Sequence, residues 1–317
     1  MPAVETVRGA VELSQLGRTL MHEHIFIASP EGIANFNHAW GAPIWDEEDR
    51  VADAVAKLRA LVDAGYRTFV DPTAFGLGRN VRRIARVNEQ VPELNIVVCT
   101  GVYAFAELPG FLKDRSAEAL TELFVRELRE GIDDTGIRAA FLKCTVERHG
   151  LVVDLPLILQ AIAAAAVETG APVMVHTNAA ARSGLLALDF LTGQGVDPRR
   201  IVIAHAGDSN DLDYLRRIAD TGAALGFDRF NIPHFNPDER RIETLLALLE
   251  EGYGDRIHLS HDASSWYDFM QHNPPFANER PDYLHIEREV LPRLLERGVA
   301  QERIDEMLVE NPRRFFG

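Results

Sequence analysis

The sequence predicts a (β/α)8 barrel. Three observations carry this reading: eight short, β-branched runs alternate with longer amphipathic stretches, glycine recurs between a helical pattern and the next strand, and no Ser/Gly-rich linker divides the 317 residues. A chain of that length suits one large α/β barrel or two domains of ordinary size. Without a linker, residues 1–317 are read as a single domain.

Residues 4–13 (VETVRGAVEL) are expected to form a small hairpin ahead of the barrel. Candidate strands follow at 19–27, 67–71, 95–100, 139–144, 172–177, 201–205, 223–227 and 256–261. Helical patterns lie between them, near 48–64, 79–90, 116–131, 154–169, 182–194, 210–221 and 238–251, and two more follow near 284–297 and 301–310. The glycines in DAGYRTFV, ETGAPVMVH and DTGAALGF stand where a helix must stop before a strand begins. The stretch 263–283 is expected to be a long loop, rich in Pro, Asn and aromatic residues, of a length that is usually functional or disordered.

Composition narrows the partners. Hydrophobic residues make up 46% of the chain, enough for a sizeable core, and the formal charge is −15. That balance disfavours nucleic acid or an anionic membrane as the main partner. The N-terminal stretch has no basic-then-apolar signal pattern and no run approaches a membrane span. Cys99 and Cys144 give no disulfide framework. A cytoplasmic protein acting on a small molecule is the expectation.

In such a barrel, chemistry sits at the C-terminal ends of the strands. There the chain places His22 and His24 on the first strand, Lys143 on the fourth, His176 on the fifth, His205 on the sixth and Asp262 after the eighth. Residues i and i+2 of a strand share a face, so His22 and His24 both aim into the barrel and Glu23 away from it. A lone buried His is commonly a hydrogen-bonded core residue; four imidazoles and a carboxylate on one rim point to a metal. Lys143 is one of only three lysines (Lys57, Lys113, Lys143) among 33 basic residues, and it lies in the apolar run AAFLK. Burial favours its neutral amine, which can add carbon dioxide to become an anionic carbamate that bridges two cations. The alternative is a lysine that snorkels to the rim or pairs with a carboxylate.

At these residues the sequence resembles the phosphotriesterase family of the amidohydrolase superfamily, closest in pattern to the phosphotriesterase-like lactonases. The likeness runs from GRTLMHEH to ENPRRFFG and includes GLGRN, TGVY, EGIDDTGIRAAFLK, GVDPRRIVIAHAGD, GFDRF and LSHDAS. It implies two divalent metal ions, zinc first, with cobalt, manganese or iron as alternatives. His22, His24 and Asp262 would hold the buried ion and His176 and His205 the more exposed one. Carboxylated Lys143 and a hydroxide would bridge the two. The hydroxide would be the nucleophile, and Asp262 would carry its proton away. A homodimer is implied as well, compatible with the aromatic residues Phe26, Phe36, Trp40, Trp45, Phe75 and Phe105 of the early loops.

Three features bear on the substrate. Tyr103 matches a tyrosine of the lactonase branch, where true phosphotriesterases carry Trp; the alternative is an ordinary rim aromatic. Arg229 matches an arginine near the bound lactone, or forms a structural ion pair with Asp228. Trp266, with Tyr267, Phe269, Met270 and Phe276, is expected either to line a channel for an acyl tail or to pack against protein. The segment NIPHFNPDERR (231–241) begins with no basic cluster, which disfavours a phosphorylated sugar lactone, and Arg240 and Arg241 fall in the following helix. The reading is a lactonase for N-acyl-homoserine or other γ/δ-lactones with promiscuous phosphotriesterase activity. A dedicated phosphotriesterase is the runner-up and a non-catalytic metal-binding barrel the remote one. NIPHF and ASSWYDF depart most from the lactonase pattern, so ring size and acyl chain stay open. Among the other histidines, His261 is expected to orient Asp262, whereas His38, His149, His272 and His285 look solvated.

Overall fold

The computed structural model describes residues 2–39, 43–268 and 282–317. Strands β1 (Ala3–Thr6) and β2 (Gly9–Glu12) pair antiparallel as the expected hairpin. Eight parallel strands follow in the order β3 (Arg18–Leu20), β5 (Tyr66–Asp71), β6 (Asn95–Gly101), β7 (Phe141–Val146), β8 (Val173–Thr177), β9 (Ile201–Ala204), β10 (Ala224–Phe227) and β11 (Ile257–Leu259). Helices α2 (Glu47–Asp63), α3 (Val81–Glu89), α4 (Ala117–Arg129), α5 (Leu155–Thr169), α6 (Ser183–Gly193), α7 (Leu212–Ala219) and α8 (Asp238–Glu250) separate them, which makes a nearly closed (β/α)8 barrel.

Asp46, Asn80, Ser116 and Asp211 cap helix starts by accepting from backbone N–H groups three residues on. Gly170 ends α5 at φ 73°, a left-handed turn that costs glycine little and a Cβ-bearing residue more.

Three elements differ from expectation. The first barrel strand is broken into β3 and β4 (His24–Ile27), with His22 and Glu23 in the break. A further strand, β12 (Ser264–Tyr267), occupies the start of the expected long loop and pairs in parallel with β4. Helix α1 (Pro30–Phe36) was not foreseen. The break and β12 close the barrel together. The Asp262 and His24 amides donate to the His22 and Ala263 carbonyls, and the Glu23 carboxylate accepts from the Ser260 hydroxyl and the His261 and Ala263 amides. Glu23 thus sews the two ends of the sheet where no continuous ladder joins them.

Strand alternation divides the core. Leu142, Val173, Val175, Ile201, Ile203 and Leu225 face the helices. Met21, Val70, Val97, Cys99, Phe141, Met174 and Val202 fill the barrel, where Phe315 and Phe316 of the last helix, α11 (Asn311–Phe316), stop its lower end. Two earlier short helices, α9 (Leu291–Glu296) and α10 (Gln301–Asp305), make up the rest of the C-terminal region with π-helical turns at Ile286–Val290 and Glu306–Glu310. Both cysteines are free and buried. No helix among the described residues is long and apolar enough to cross a membrane. Of the aromatic residues named for a dimer, Phe26 and Trp45 are buried within this chain, Phe36 and Phe105 are more than half exposed, and Trp40 lies outside the described residues.

Candidate metal centre

One step up each strand from the apolar filling, the interior turns polar. Lys143 follows Phe141 by two residues and His176 follows Met174 by two, so each pair shares the inner face. His22, His24, Lys143, His176 and His205 are all buried, and Asp262 is nearly so. Ligand-capable atoms of His22, His205 and Asp262 lie within 4.8 Å of one another. His24 Nε2 is 3.2 Å and His22 Nε2 3.5 Å from Asp262 Oδ1, and His176 Nδ1 is 2.8 Å from His205 Nε2. His205 and Asp262 adopt positive φ, 64° and 55°, where the chain turns from strand into loop and presents both side chains to the interior.

The outward nitrogens settle what the inward ones can do. His22 Nδ1 and His205 Nδ1 each lie 2.9 Å from one oxygen of Asp228. His24 Nδ1 is 2.7 Å from the Thr73 hydroxyl, which itself donates to Asp71 and so accepts from the imidazole. His176 Nε2 is 3.1 Å from Glu147 Oε1. In the tautomers that satisfy these outward acceptors each ring carries its proton on the outward side, and the inward nitrogens then present lone pairs. Burial holds the His22, His176 and His205 imidazoles below the ordinary value, His176 at about 4, so an extra proton does not relieve the arrangement. Burial would raise the Asp228 carboxyl, yet the two imidazoles beside it, His205 and His22, hold it well below the usual range.

A cavity of lone pairs and one carboxylate, with the 2.8 Å contact between two unprotonated nitrogens, is repulsive unless a cation enters it. Among them Lys143 Nζ is buried without a hydrogen-bond partner, and burial lowers its affinity for a proton. The residues present fit a metal site on chemistry as well as position.

Arg229 does not pair with Asp228. Its guanidinium donates to Asp262 Oδ2 at 2.9 Å and to Asp208 Oδ2 at 3.0 Å, and Arg241 holds the other Asp208 oxygen at 2.9 Å. Burial would lower the Arg229 pKa, but Asp208 and Asp262 raise it, so its charge is fixed and neutralised. Tyr103 is half-buried with its hydroxyl 3.4 Å from His176 Nδ1, and Phe105 packs edge-on against it. Trp266, expected either as a substrate contact or packed against protein, is packed against protein. As a residue of β12 it turns outward, with its ring 6.1 Å from Trp45 and the Arg50 guanidinium 3.5 Å above it. Its neighbour Tyr267 takes the opposite face, where burial and then the Asp262 charge push its hydroxyl up to about 12. Phe269, Met270, Phe276 and His272 lie outside the described residues.

Two other histidines differ from expectation. His261 does not orient Asp262: its Nδ1 bonds Glu23 and its Nε2 accepts from the Ile286 amide, so it ties the seam to the C-terminal helices. His285 is not solvated but pairs with Asp238 at 2.6 Å. Sequence reasoning passed over Asp71 as a site residue, weighed Asp228 only as a partner of Arg229, passed over Glu147 and named Tyr267 only among the loop aromatics. The strand-end rule reaches the first two, since RTFVD and GFD close the second and seventh barrel strands. Glu147 stands one residue past β7, and Tyr267 needed the unforeseen β12.

Comparison with known proteins agrees with the geometry. The model of the phosphotriesterase family matches residues 2–316. A phosphotriesterase homology protein of Mycobacterium tuberculosis is 41% identical, covering 100% of this chain and 98% of its own. An aryldialkylphosphatase of Saccharolobus solfataricus is 33% identical, with 98% of each chain covered. The solved structure of the phosphotriesterase from Mycobacterium tuberculosis superposes with a TM-score of 0.93 at 41% identity, over 99% of this chain and 98% of that one. The chain therefore belongs to the phosphotriesterase family and is a hydrolase of that family's (β/α)8 type.

Proposed function

We propose that the protein is a binuclear-metal lactonase with a side activity on phosphotriesters. The observation that carries the metal part is the set of four inward lone-pair nitrogens around Asp262, with the orphaned Lys143 amine among them. His22, His24 and Asp262 would hold one ion, His176 and His205 the other, and Lys143 both, once its neutral nitrogen bonds the carbon of carbon dioxide and gives up a proton. When bound, the two ions would polarise the substrate's C=O or P=O and lower the pKa of water.

The chain's own residues supply the rest. Asp228 fixes the ring orientation of His22 and His205 from a single buried carboxylate. Arg229 grips Oδ2 of Asp262, which leaves Oδ1 turned toward the histidines as the atom that takes the proton of the attacking water. Tyr103 and Phe105, packed against each other and against His176, would help exclude water from an uncharged ester. Arg229 and Arg241 are both committed to Asp208, so neither offers a free charge to a phosphorylated sugar lactone. Tyr103 and Arg229, by their likeness to the lactonase branch, favour the lactone.

A panel of homoserine lactones, γ- and δ-lactones and paraoxon, run with metal analysis, tests this. The highest kcat/KM is expected on a lactone. A paraoxon value above every lactone would establish the second reading, a dedicated phosphotriesterase, which the 33% identity to an aryldialkylphosphatase favours. Metal-replete protein inert on the whole panel would support a non-catalytic barrel.

A further inference from the structure

The four histidines are not held alike. Those of the deep pair and His205 rest on Asp228 and the Thr73–Asp71 couple, all buried. His176 alone among them rests on a partly exposed side chain, Glu147, at the mouth of the barrel. That carboxylate is itself fixed: Oε2 accepts from the Arg148 amide at 2.8 Å and from Asn178 Nδ2 at 3.1 Å, which leaves Oε1 aimed at His176 Nε2.

A neutral imidazole held in this orientation can carry its proton on either nitrogen. With the proton on Nε2 and shared with Glu147, the lone pair on Nδ1 faces His205 Nε2. With the proton on Nδ1, that contact becomes an ordinary N–H···N bond and the pair is closed to a cation. We infer that Glu147 is the positioning residue that holds His176 as its Nε2–H tautomer and thereby keeps the outer of the two cation positions open. This rests on the metal part of the function proposed above. Its consequence is asymmetric: the deep position does not depend on Glu147, and the outer one does.

Two measurements on the full chain decide it. In chelator-stripped protein, long-range ¹H–¹⁵N spectra of the histidines are expected to show His176 protonated on Nε2, and Glu147→Leu to shift that proton toward Nδ1. In zinc titrations, wild type is expected to take up two ions. Glu147→Leu should leave the first affinity unchanged and weaken the second by about 10–100-fold, the usual cost of removing a ligand's supporting partner. Glu147→Gln, whose amide oxygen still accepts from Nε2–H, should lose less. Unaltered tautomer and unaltered second affinity in Glu147→Leu would overturn the inference, as would equal weakening of both ions. Wild type that takes up no zinc would overturn the metal reading instead, and the His176 tautomer in that same protein still decides the role of Glu147.

Discussion

The inside of this barrel has two ends, and they obey opposite rules although the same strands build both. At the lower end Phe141, Met174 and Val202 close on Phe315 and Phe316, with ring centroids 6.4 Å and 6.2 Å from Phe141. Two residues further along, Phe141 gives way to Lys143 and Met174 to His176, and the packing gives way to lone pairs, a carboxylate and an orphaned amine. The lower end is what burial favours. The upper end is what burial penalises, and it persists because the rest of the barrel over-determines it. If that division is right, substitutions at the two ends should separate stability from metal binding.

The largest effect should come from the floor. Phe315→Ala removes a buried ring from between Phe141, Phe316 and His258 and should cost about 3–5 kcal/mol in urea unfolding. The folded fraction should still take up wild-type amounts of zinc. A variant that loses zinc while folded would show that the floor and the rim are not independent.

At the rim the sign should reverse. Lys143→Met replaces a buried amine that lacks a partner with an apolar side chain of similar length. Metal-free protein should gain about 1–3 kcal/mol, the cost of an unsatisfied buried polar group, while zinc uptake and activity collapse. Lower stability of the metal-free variant would mean that the amine has a stabilising partner after all. Lys143→Arg should lose zinc as well, since a guanidinium stays charged.

His258 brings a titratable group to the apolar end. It lies on β11, 6.1 Å from Phe315, and burial lowers its pKa from 6.5 to about 3. Between those values the unfolded chain binds the proton and the folded chain does not. The stability tied to neutral His258 is therefore complete above pH 6.5 and lost progressively as pH falls toward 3, at about 1.4 kcal/mol per pH unit. His258→Leu should remove that slope: its stability relative to wild type should rise as pH drops from 7 to 5. Parallel pH curves for the two proteins would place His258 in a more polar setting.

What was legible in the sequence follows the same division. Strands and helices could be read because a period of two or of 3.6 is local, and the rim histidines because residue type and strand end are local too. Glu23 shows the limit. Its alternation away from the barrel was readable, but its bonds to Ser260, His261 and Ala263 depend on which distant segment closes the sheet. The two readings of Trp266 stayed open for a related reason: which face a residue takes depends on β12 existing at all, and once it pairs with β4 Trp266 packs outward and the inward residue is Tyr267. Asp228 was visible, but the one partner weighed for it was Arg229, because adjacency in sequence says nothing about the 2.9 Å contacts to His22 and His205.

The smallest expected effect probes how the rim is attached rather than what it holds. Tyr283 stands just beyond the residues that follow β12, and its hydroxyl donates to the His24 carbonyl at 2.5 Å while its ring meets Phe69 edge-on at 5.1 Å. Tyr283→Phe keeps the ring and deletes the bond, which should cost about 0.5–1.5 kcal/mol. Because the bond reaches the main chain of His24 and not its imidazole, which Thr73 orients, both zinc affinities should stay at wild-type values. A weakened first zinc would mean that the backbone of the broken strand, and not the Thr73–Asp71 couple alone, aims His24 into the deep position.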